Sequence, residues 1–232
     1  MRFLPSVIAG ALVALVADGA SAQWYVRGEF NGWTNSTSPM IHQGGDHYTW
    51  TATGLTPGNM TFFKITVDDW SENYPGSDAR TMVNAAGEID FHFYDNSVWA
   101  DGWLPNGQKR VGYDDPMQFG WDLPGSMNGW SGGAAWQLAD AGGGLYQGVF
   151  AMPAGTHQFK FRKYEDWDIS IGDNFGNSAG DNSVTVASAG DLWKFELDLP
   201  GGRFRWYQIP EPTSAVLFGI ALAMAGVVRR RK

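Results

Sequence analysis

Apolar and polar side chains alternate along short stretches of this chain with a period of two residues. The clearest stretches are 62–67 and 158–162. In the first, Phe63 and Ile65 share one face while Lys64 lies on the other. This period is typical of half-buried antiparallel strands, and no amphipathic helix of ten residues occurs between residues 23 and 209. The pattern predicts an all-β fold, with further strands at Trp24–Arg27, Tyr48–Thr53, Glu88–Phe93, Tyr146–Ala151, Ser183–Ala187 and Leu192–Leu197.

The sequence repeats itself at an offset of 96 or 97 residues. Four landmarks occur twice in the same order: a Gly-rich turn ending in tryptophan, a turn containing Gly, a strand with a central lysine, and Asp-Trp. In the first copy they are Gly28–Trp33, Pro57-Gly58, Phe62–Ile65 and Asp69-Trp70; in the second they are Gly125–Trp130, Ala154-Gly155, Gln158–Phe161 and Asp166-Trp167. We therefore predict two copies of one antiparallel β-sandwich, at 23–98 and 116–208, joined by a linker at 99–115.

Both ends of the chain differ from this region. Residues 1–22 contain an apolar run and end in Ala20-Ser21-Ala22, which predicts a secretory signal peptide. Near the other end, Thr213–Val228 is an apolar stretch of 16 residues followed by three arginines and a lysine. As a helix it would span about 24 Å, which predicts a single short transmembrane segment.

Charge and composition narrow the function classes. Removing both ends takes away five of the 16 basic and two of the 24 acidic residues, leaving 11 and 22 between residues 23 and 209. Such an acidic region is not suited to nucleic acid, and we predict no nucleic-acid partner. The chain has no cysteine, which excludes disulfides, Cys-zinc sites and thiol catalysis. All 12 tryptophans lie between Trp24 and Trp206.

The order of the repeated landmarks resembles the glycogen- and starch-binding modules that have an immunoglobulin-like, early-set sandwich. Those modules carry a Phe-Asn-x-Trp turn, a Pro-x-Gly turn, a Tyr-Lys-Phe strand and a later tryptophan. The corresponding residues here begin with Phe30-Asn31-Gly32-Trp33, and Trp70-Ser71-Glu72-Asn73-Tyr74 is similar to a segment of the pullulanase accessory modules. The second copy has Met127 in place of phenylalanine. The resemblance implies two tandem immunoglobulin-like sandwiches that bind polysaccharide.

The resemblance also implies site residues. Two tryptophans stack on glucose rings, a lysine donates hydrogen bonds to hydroxyls, and an asparagine on a later strand completes the site. The residues at the matching positions are Trp33, Lys64, Trp70 and Asn84 in the first copy and Trp130, Lys160, Trp167 and Asn182 in the second. At the asparagines, the alignment between the two copies is out of register by about six residues.

Each of these assignments has a purely structural alternative. The first tryptophan of each pair could cap the sandwich with a buried ring, the lysines could be solvated residues on a sheet face, and the asparagines could serve ordinary turns. Four further tryptophans lie in strand patterns and are predicted to be core residues: Trp24, Trp50, Trp193 and Trp206. Solvent exposure of the paired tryptophans separates a sugar site from a structural role.

Other chemistry has little support in the sequence. The four histidines lack metal-ligand spacing, and no nucleophile elbow, phosphate loop or dinucleotide fingerprint occurs. We therefore predict no catalytic residues, no cofactor and no metal, and the protein is not expected to be an enzyme. The Asp173–Asn182 loop has oxygen ligands that could bind calcium, and the alternative is a solvated turn without a metal.

The C-terminal region 209–232 resembles the tripartite sorting signal of Gram-negative bacteria known as PEP-CTERM. Its parts are Pro210-Glu211-Pro212, the apolar stretch, and Arg229, Arg230 and Arg231. The resemblance implies recognition by an exosortase, transient membrane anchoring, and delivery to the cell surface, the outer membrane or the extracellular space. A permanent membrane anchor is the alternative.

Together these features predict a surface protein that binds an α-glucan or an exopolysaccharide without catalysis. Two other functions remain open. The sandwiches could serve as a structural protein of the extracellular matrix or biofilm, because a fold does not fix a function. The chain could also be an accessory subunit that presents substrate to a separate amylase.

Overall fold

The computed structural model describes residues 23–34, 37–115 and 120–210. The fold is all-β, as the alternating pattern predicted, and every pairing between its strands is antiparallel. The strands of the first half are β1 (Tyr25–Gly28), β2 (Ile41–Gly44), β3 (His47–Ala52), β4 (Met60–Thr66), β5 (Asn73–Met82), β6 (Ile89–Tyr94) and β7 (Arg110–Tyr113). Those of the second half are β8 (Trp121–Asp122), β9 (Gln137–Asp140), β10 (Leu145–Ala151), β11 (Gly155–Phe159), β12 (Phe161–Lys163), β13 (Asp166–Ile171), β14 (Asn182–Val186), β15 (Leu192–Asp198) and β16 (Arg203–Gln208).

The first half is a sandwich of two sheets with strand orders β1-β4-β5 and β2-β3-β6-β7. Phe63 on β4 and Phe91 on β6 meet between the sheets, with ring centroids 4.7 Å apart. Trp24 and Phe93 make a similar contact at 4.4 Å. All four rings are completely buried, so large aromatic side chains fill the core of this small sandwich.

The second half has a seven-stranded sheet of order β13-β12-β8-β9-β10-β15-β16 and a two-stranded sheet of β11 and β14. Phe159 on β11 packs edge-on against Phe195 on β15, with centroids 5.2 Å apart. Phe161 on β12 contacts Phe204 on β16 at 5.6 Å. Phe159 and Phe161, which alternate with polar residues in the stretch 158–162, therefore both point into the core.

The segment 99–115, expected to be a linker, is instead folded onto the first sandwich. Its residues Arg110–Tyr113 form β7 and pair with β6. Arg110 is 1% exposed and its guanidinium stacks on Trp99 at 4.0 Å. The segment folds because its short strand carries two side chains, Val111 and Tyr113, that are buried in the core when the strand pairs with β6.

The two halves share one continuous hydrophobic core. Phe175, in the β13–β14 loop, lies between Tyr113 of the first half and Phe204 of the second, at centroid distances of 6.3 and 6.4 Å. A Cβ on Gly112 would lie 2.1 Å from the carbonyl oxygen of Pro200, so only glycine fits where β7 meets the β15–β16 turn. The halves are thus held in a fixed arrangement rather than tethered by a flexible segment.

An ion-pair network also joins the halves at Asp101. Its carboxylate accepts hydrogen bonds from Arg110 at 2.7 and 3.1 Å and forms an ion pair with Arg203 of β16 at 3.3 Å. The hydrogen bonds from Arg110 lower the pKa of Asp101 to about 2. Because the folded-state pKa lies below the ordinary value, the stabilisation is complete above about pH 4 and is lost as the pH falls towards 2.

We therefore expect Asp101→Asn to lower the free energy of unfolding by about 1–2 kcal/mol at pH 7, a value reduced for the partial exposure of the carboxylate. Thermal unfolding measured from pH 7 to pH 2 should show a smaller dependence on pH below 4 in the variant than in the unmodified protein. Asp140→Asn, at an exposed position of β9, is the control. Parallel pH profiles for the unmodified protein and Asp101→Asn would contradict the assignment.

The two terminal predictions lie outside the described residues. These are the signal peptide at 1–22 and the transmembrane segment at Thr213–Val228. Within the described ranges, no helix has the length and apolar character needed to cross a membrane.

Candidate functional site

The first repeated turn projects Trp33 from the end of β1. Asn31 fixes the turn, because its Oδ1 accepts from the Gly28 amide and its Nδ2 donates to the Val26 carbonyl, both at 2.9 Å. Gly32 and Trp33 both have left-handed backbone angles, with φ of 62° and 61°. A Cβ on Gly28 would lie 2.5 Å from the Phe62 carbonyl oxygen, so glycine is required where the turn approaches β4.

The second repeated turn has the same construction. Asn128 accepts from the Gly125 amide and donates to the Leu123 carbonyl, again at 2.9 Å. Gly129 and Trp130 have φ of 63° and 64°. The repeated Asn-Gly-Trp is therefore a backbone device that holds a tryptophan in one orientation, and the asparagines themselves are occupied by it.

In each copy the turn tryptophan meets the tryptophan that follows the lysine strand. The ring centroids of Trp33 and Trp70 are 6.3 Å apart with an angle of 36° between the planes. Those of Trp130 and Trp167 are 6.2 Å apart at 45°. Trp70 and Trp167 are 37% and 46% exposed, whereas their partners are half-buried. The structure thus brings together the tryptophans of each pair as a bent, partly open aromatic surface.

A buried arginine lies against each exposed tryptophan. In the first copy the Arg27 guanidinium stacks on Trp70, 4.5 Å from the ring centroid. The same guanidinium donates to the carbonyl oxygens of Val67 and Asp68, in the hairpin that carries Trp70. Arg27 therefore covers one face of the ring and fixes its hairpin, and Trp70, which also contacts Trp33, is 37% exposed to solvent.

In the second copy the supporting arginine is Arg162, 4.8 Å from the Trp167 centroid. Its Nε donates to Asp122 Oδ1 at 2.9 Å, and its Nη2 donates to the Ser131 carbonyl at 3.0 Å. Asp122 also accepts from the Gly133 amide at 2.7 Å. Ser131 and Gly133 lie within three residues of Trp130, so this buried ion pair positions the Trp130 turn as well as Trp167.

The repeat could not reveal these two arginines. Arg27 comes from β1 and Arg162 from β12, so they do not occupy equivalent positions. The residue that corresponds to Arg27 by the strand pairing is Pro124, which precedes Gly125 as Arg27 precedes Gly28. A search for matching residues at a constant offset therefore passes over both.

Lys64 is held by the protein itself. Its ammonium donates to Asn73 Oδ1 at 3.0 Å and to the carbonyl oxygens of Pro75 and Gly76 at 2.9 and 3.0 Å. The ammonium also forms an ion pair with the Asp78 carboxylate at 3.6 Å. A lysine has three N–H donors, and these contacts use all of them, so Lys64 orders the bulge in β5.

Lys160 has a matching role in the second copy. Its ammonium donates to the Ala179 carbonyl at 2.8 Å and pairs with Asp181 at 3.8 Å. The bulged segment between the paired residues is four residues long in the first copy, 75–78, and ten in the second, 172–181. The difference of six residues is the slip in the sequence alignment.

The two candidate asparagines are not placed beside the tryptophan pairs. Asn84 Oδ1 accepts from the amides of Ala86 and Glu88 at 2.9 Å, which closes the β5–β6 turn at the opposite end of β4 from Trp70. Asn182 is 3% exposed and lies on the inward face of β14, opposite Phe159. By this pairing Asn182 corresponds to Ala79 of the first copy rather than to Asn84.

The Asp173–Asn182 loop is occupied by structural contacts. The Asp173 amide donates to the Gly180 carbonyl at 3.0 Å, and Asn174 contacts Ser77 of the first half at 3.1 Å. Among residues 23–34, 37–115 and 120–210, no group of three or more histidine or acidic side chains is arranged to hold a metal ion.

Comparison with known proteins identifies one short region. The family model of the PEP-CTERM protein-sorting motif matches residues 208–232. The chain carries a PEP-CTERM sorting motif. This finding confirms the sorting signal predicted from Pro210-Glu211-Pro212 and the basic end, and it indicates export and exosortase-mediated sorting to the cell surface.

No curated protein matches the sequence. Among solved structures, a pullulanase from Bacillus acidopullulyticus is similar at a TM-score of 0.29 and 12% sequence identity. The match covers 80% of this chain and 28% of the pullulanase chain, so the chain spans little more than a quarter of that enzyme.

Proposed function

We propose that this protein binds a neutral polysaccharide at the bacterial cell surface without catalysis, and that α-glucan is the ligand to test first. The observation that carries the proposal is the pair of bent tryptophan surfaces at Trp33/Trp70 and Trp130/Trp167. A sugar ring has an apolar face of C–H groups, and a partly exposed indole offers a flat apolar surface of matching size at little entropy cost.

The bend between the two rings favours a curved chain. Two planes at 36° or 45° present their faces to successive units of a polymer that turns, as an α-linked glucan does. A flat chain would contact only one ring of each pair. The exposed ring is supported from one side by arginine, so it is already oriented before the ligand arrives and little ordering cost remains.

The charges around the surfaces favour a neutral ligand. Arg27 is paired with Asp68, Lys64 with Asp78, Lys160 with Asp181 and Arg162 with Asp122. The cations next to the tryptophans are therefore compensated by carboxylates, in a chain with a formal net charge of -8. A phosphate or sulfate ligand would meet acidic neighbours and gain little.

Tryptophan fluorescence during a titration with maltoheptaose tests the proposal. We expect saturable quenching at high-micromolar to millimolar ligand, the range of a small site. Trp33→Ala combined with Trp130→Ala should weaken binding by about tenfold or more, because one ring of each surface is removed. Cellohexaose is the matched ligand control, since it has the same sugar in a flat chain. Absence of any response to maltoheptaose by a folded protein would refute the α-glucan assignment.

A further inference from the structure

The first tryptophan pair lies on a sheet face that also carries Arg80, a residue of the junction between the halves. On β4 and β5, Phe62 is paired with Arg80, and both project from the outer face that also carries Lys64. Arg27, which supports Trp70, is paired with Lys64 and so projects from the same face. The first tryptophan pair therefore lies on the outer face of the β1-β4-β5 sheet.

Arg80 connects this face to the second pair. Its guanidinium covers the Phe62 ring at 4.7 Å. Its Nη1 donates to the carbonyl oxygen of Asp168 at 2.8 Å and lies 3.7 Å from the carboxylate of the same residue. Asp168 follows Trp167 directly and its side chain is 53% exposed. The contact that joins the two halves at the surface is thus adjacent to the second tryptophan pair.

The junction is narrow and fixed. The Asn177 amide donates to the Asp78 carbonyl at 2.8 Å, so β5 and the β13–β14 loop meet edge to edge. A Cβ on Gly176 would lie 2.3 Å from the Ser77 hydroxyl, which permits only glycine at this approach. Asn73 and Arg80 are paired with Thr66 and Phe62, which lie four residues apart on β4, so about 13 Å along the sheet separates the start of β5 from Arg80.

From these contacts we propose that both tryptophan pairs belong to one binding face, and that a single long glucan chain occupies both by crossing the Arg80–Asp168 bridge. The inference rests on the proposed function and adds the arrangement of the ligand. Arg80 supplies guanidinium donors and Asp168 a carboxylate acceptor for hydroxyl groups between the pairs. Because the halves share one hydrophobic core, binding at one pair places the chain at the other with little further entropy loss.

Isothermal titration calorimetry with two ligands tests the inference. Maltotriose, which fits one pair, should bind as two molecules per protein. Linear amylose should bind as one chain segment per protein, about 100-fold more tightly than maltotriose, through the raised effective concentration of the second site. Trp167→Ala alone, or Trp70→Ala alone, should reduce the affinity for amylose to about that for maltotriose.

Tyr207→Ala, an exposed aromatic residue on β16, is the control and should leave both affinities unchanged. Two binding events for maltotriose without a gain for amylose would overturn the shared face and leave the proposed function in place. Precipitation of the protein by amylose would also overturn it, because the two pairs would then hold separate chains. If neither ligand binds, the α-glucan assignment of the proposed function fails.

Discussion

Arg162→Met is expected to destabilise the protein by about 3–5 kcal/mol, the cost of leaving a buried charge without its partner. Asp122 is completely buried, and Arg162 is its ion-pair partner. Methionine retains much of the apolar volume of arginine but donates no hydrogen bond. In the variant, the Asp122 carboxylate would still accept a hydrogen bond from the Gly133 amide. One neutral donor does not compensate for the loss of the positive charge of Arg162.

The same substitution should weaken glucan binding by the second tryptophan pair. Arg162 supports the Trp167 ring and holds the Ser131 carbonyl next to Trp130, so its loss frees both rings. Denaturant unfolding gives the change in stability, and titration with maltoheptaose in the Trp33→Ala background isolates the second pair.

Arg27→Met is the matched control. Arg27 also stacks on a tryptophan, but its acceptors are backbone carbonyls and the exposed carboxylate of Asp68. We expect it to cost about 1–2 kcal/mol, since no buried charge is left behind. Equal losses of stability in the two variants would show that the buried Asp122 is not the source of the effect.

Phe175→Ala is expected to lower the free energy of unfolding by about 3–5 kcal/mol, the range for truncating a buried phenylalanine. The ring is 2% exposed and lies between aromatic rings of the two halves. Its backbone has φ of 68°, which alanine also tolerates poorly, so the substitution removes the packing without relieving backbone strain.

Because Phe175 belongs to a loop that joins the two halves, its loss should also reduce the cooperativity of unfolding. Urea unfolding followed by fluorescence and by circular dichroism should give coincident transitions for the unmodified protein and separated ones for Phe175→Ala. Tyr207→Ala, which removes an exposed ring, should change stability by less than about 0.5 kcal/mol. A similarly small effect of Phe175→Ala would refute the role of this loop in the shared core.

The sequence by itself determined the features that depend on neighbouring residues. The two-residue period located seven strands to within about two residues, because side chains on a strand must alternate between core and solvent. The predicted stretch 158–162 is instead divided between β11 and β12, and the other seven strands were not predicted. The repeated Asn-Gly-Trp turn could also be recognised in the sequence, since Asn31 and Asn128 fix it through hydrogen bonds to backbone groups within five residues of themselves. The sorting motif is likewise a continuous segment.

The tertiary structure alone decided which side chains surround the tryptophans. Arg27 and Arg162 reach them from different strands, and Lys64 turns away to the β5 bulge, because three carbonyl and amide oxygens lie within its reach there. The segment at 99–115 became part of a sheet because an edge strand was available for it to pair with. The hydrogen bonds of Arg27 to Asp68, Arg162 to Asp122 and Arg203 to Asp101 join residues 40 to 102 positions apart. A local pattern carries no information about which distant partner a folded chain will supply.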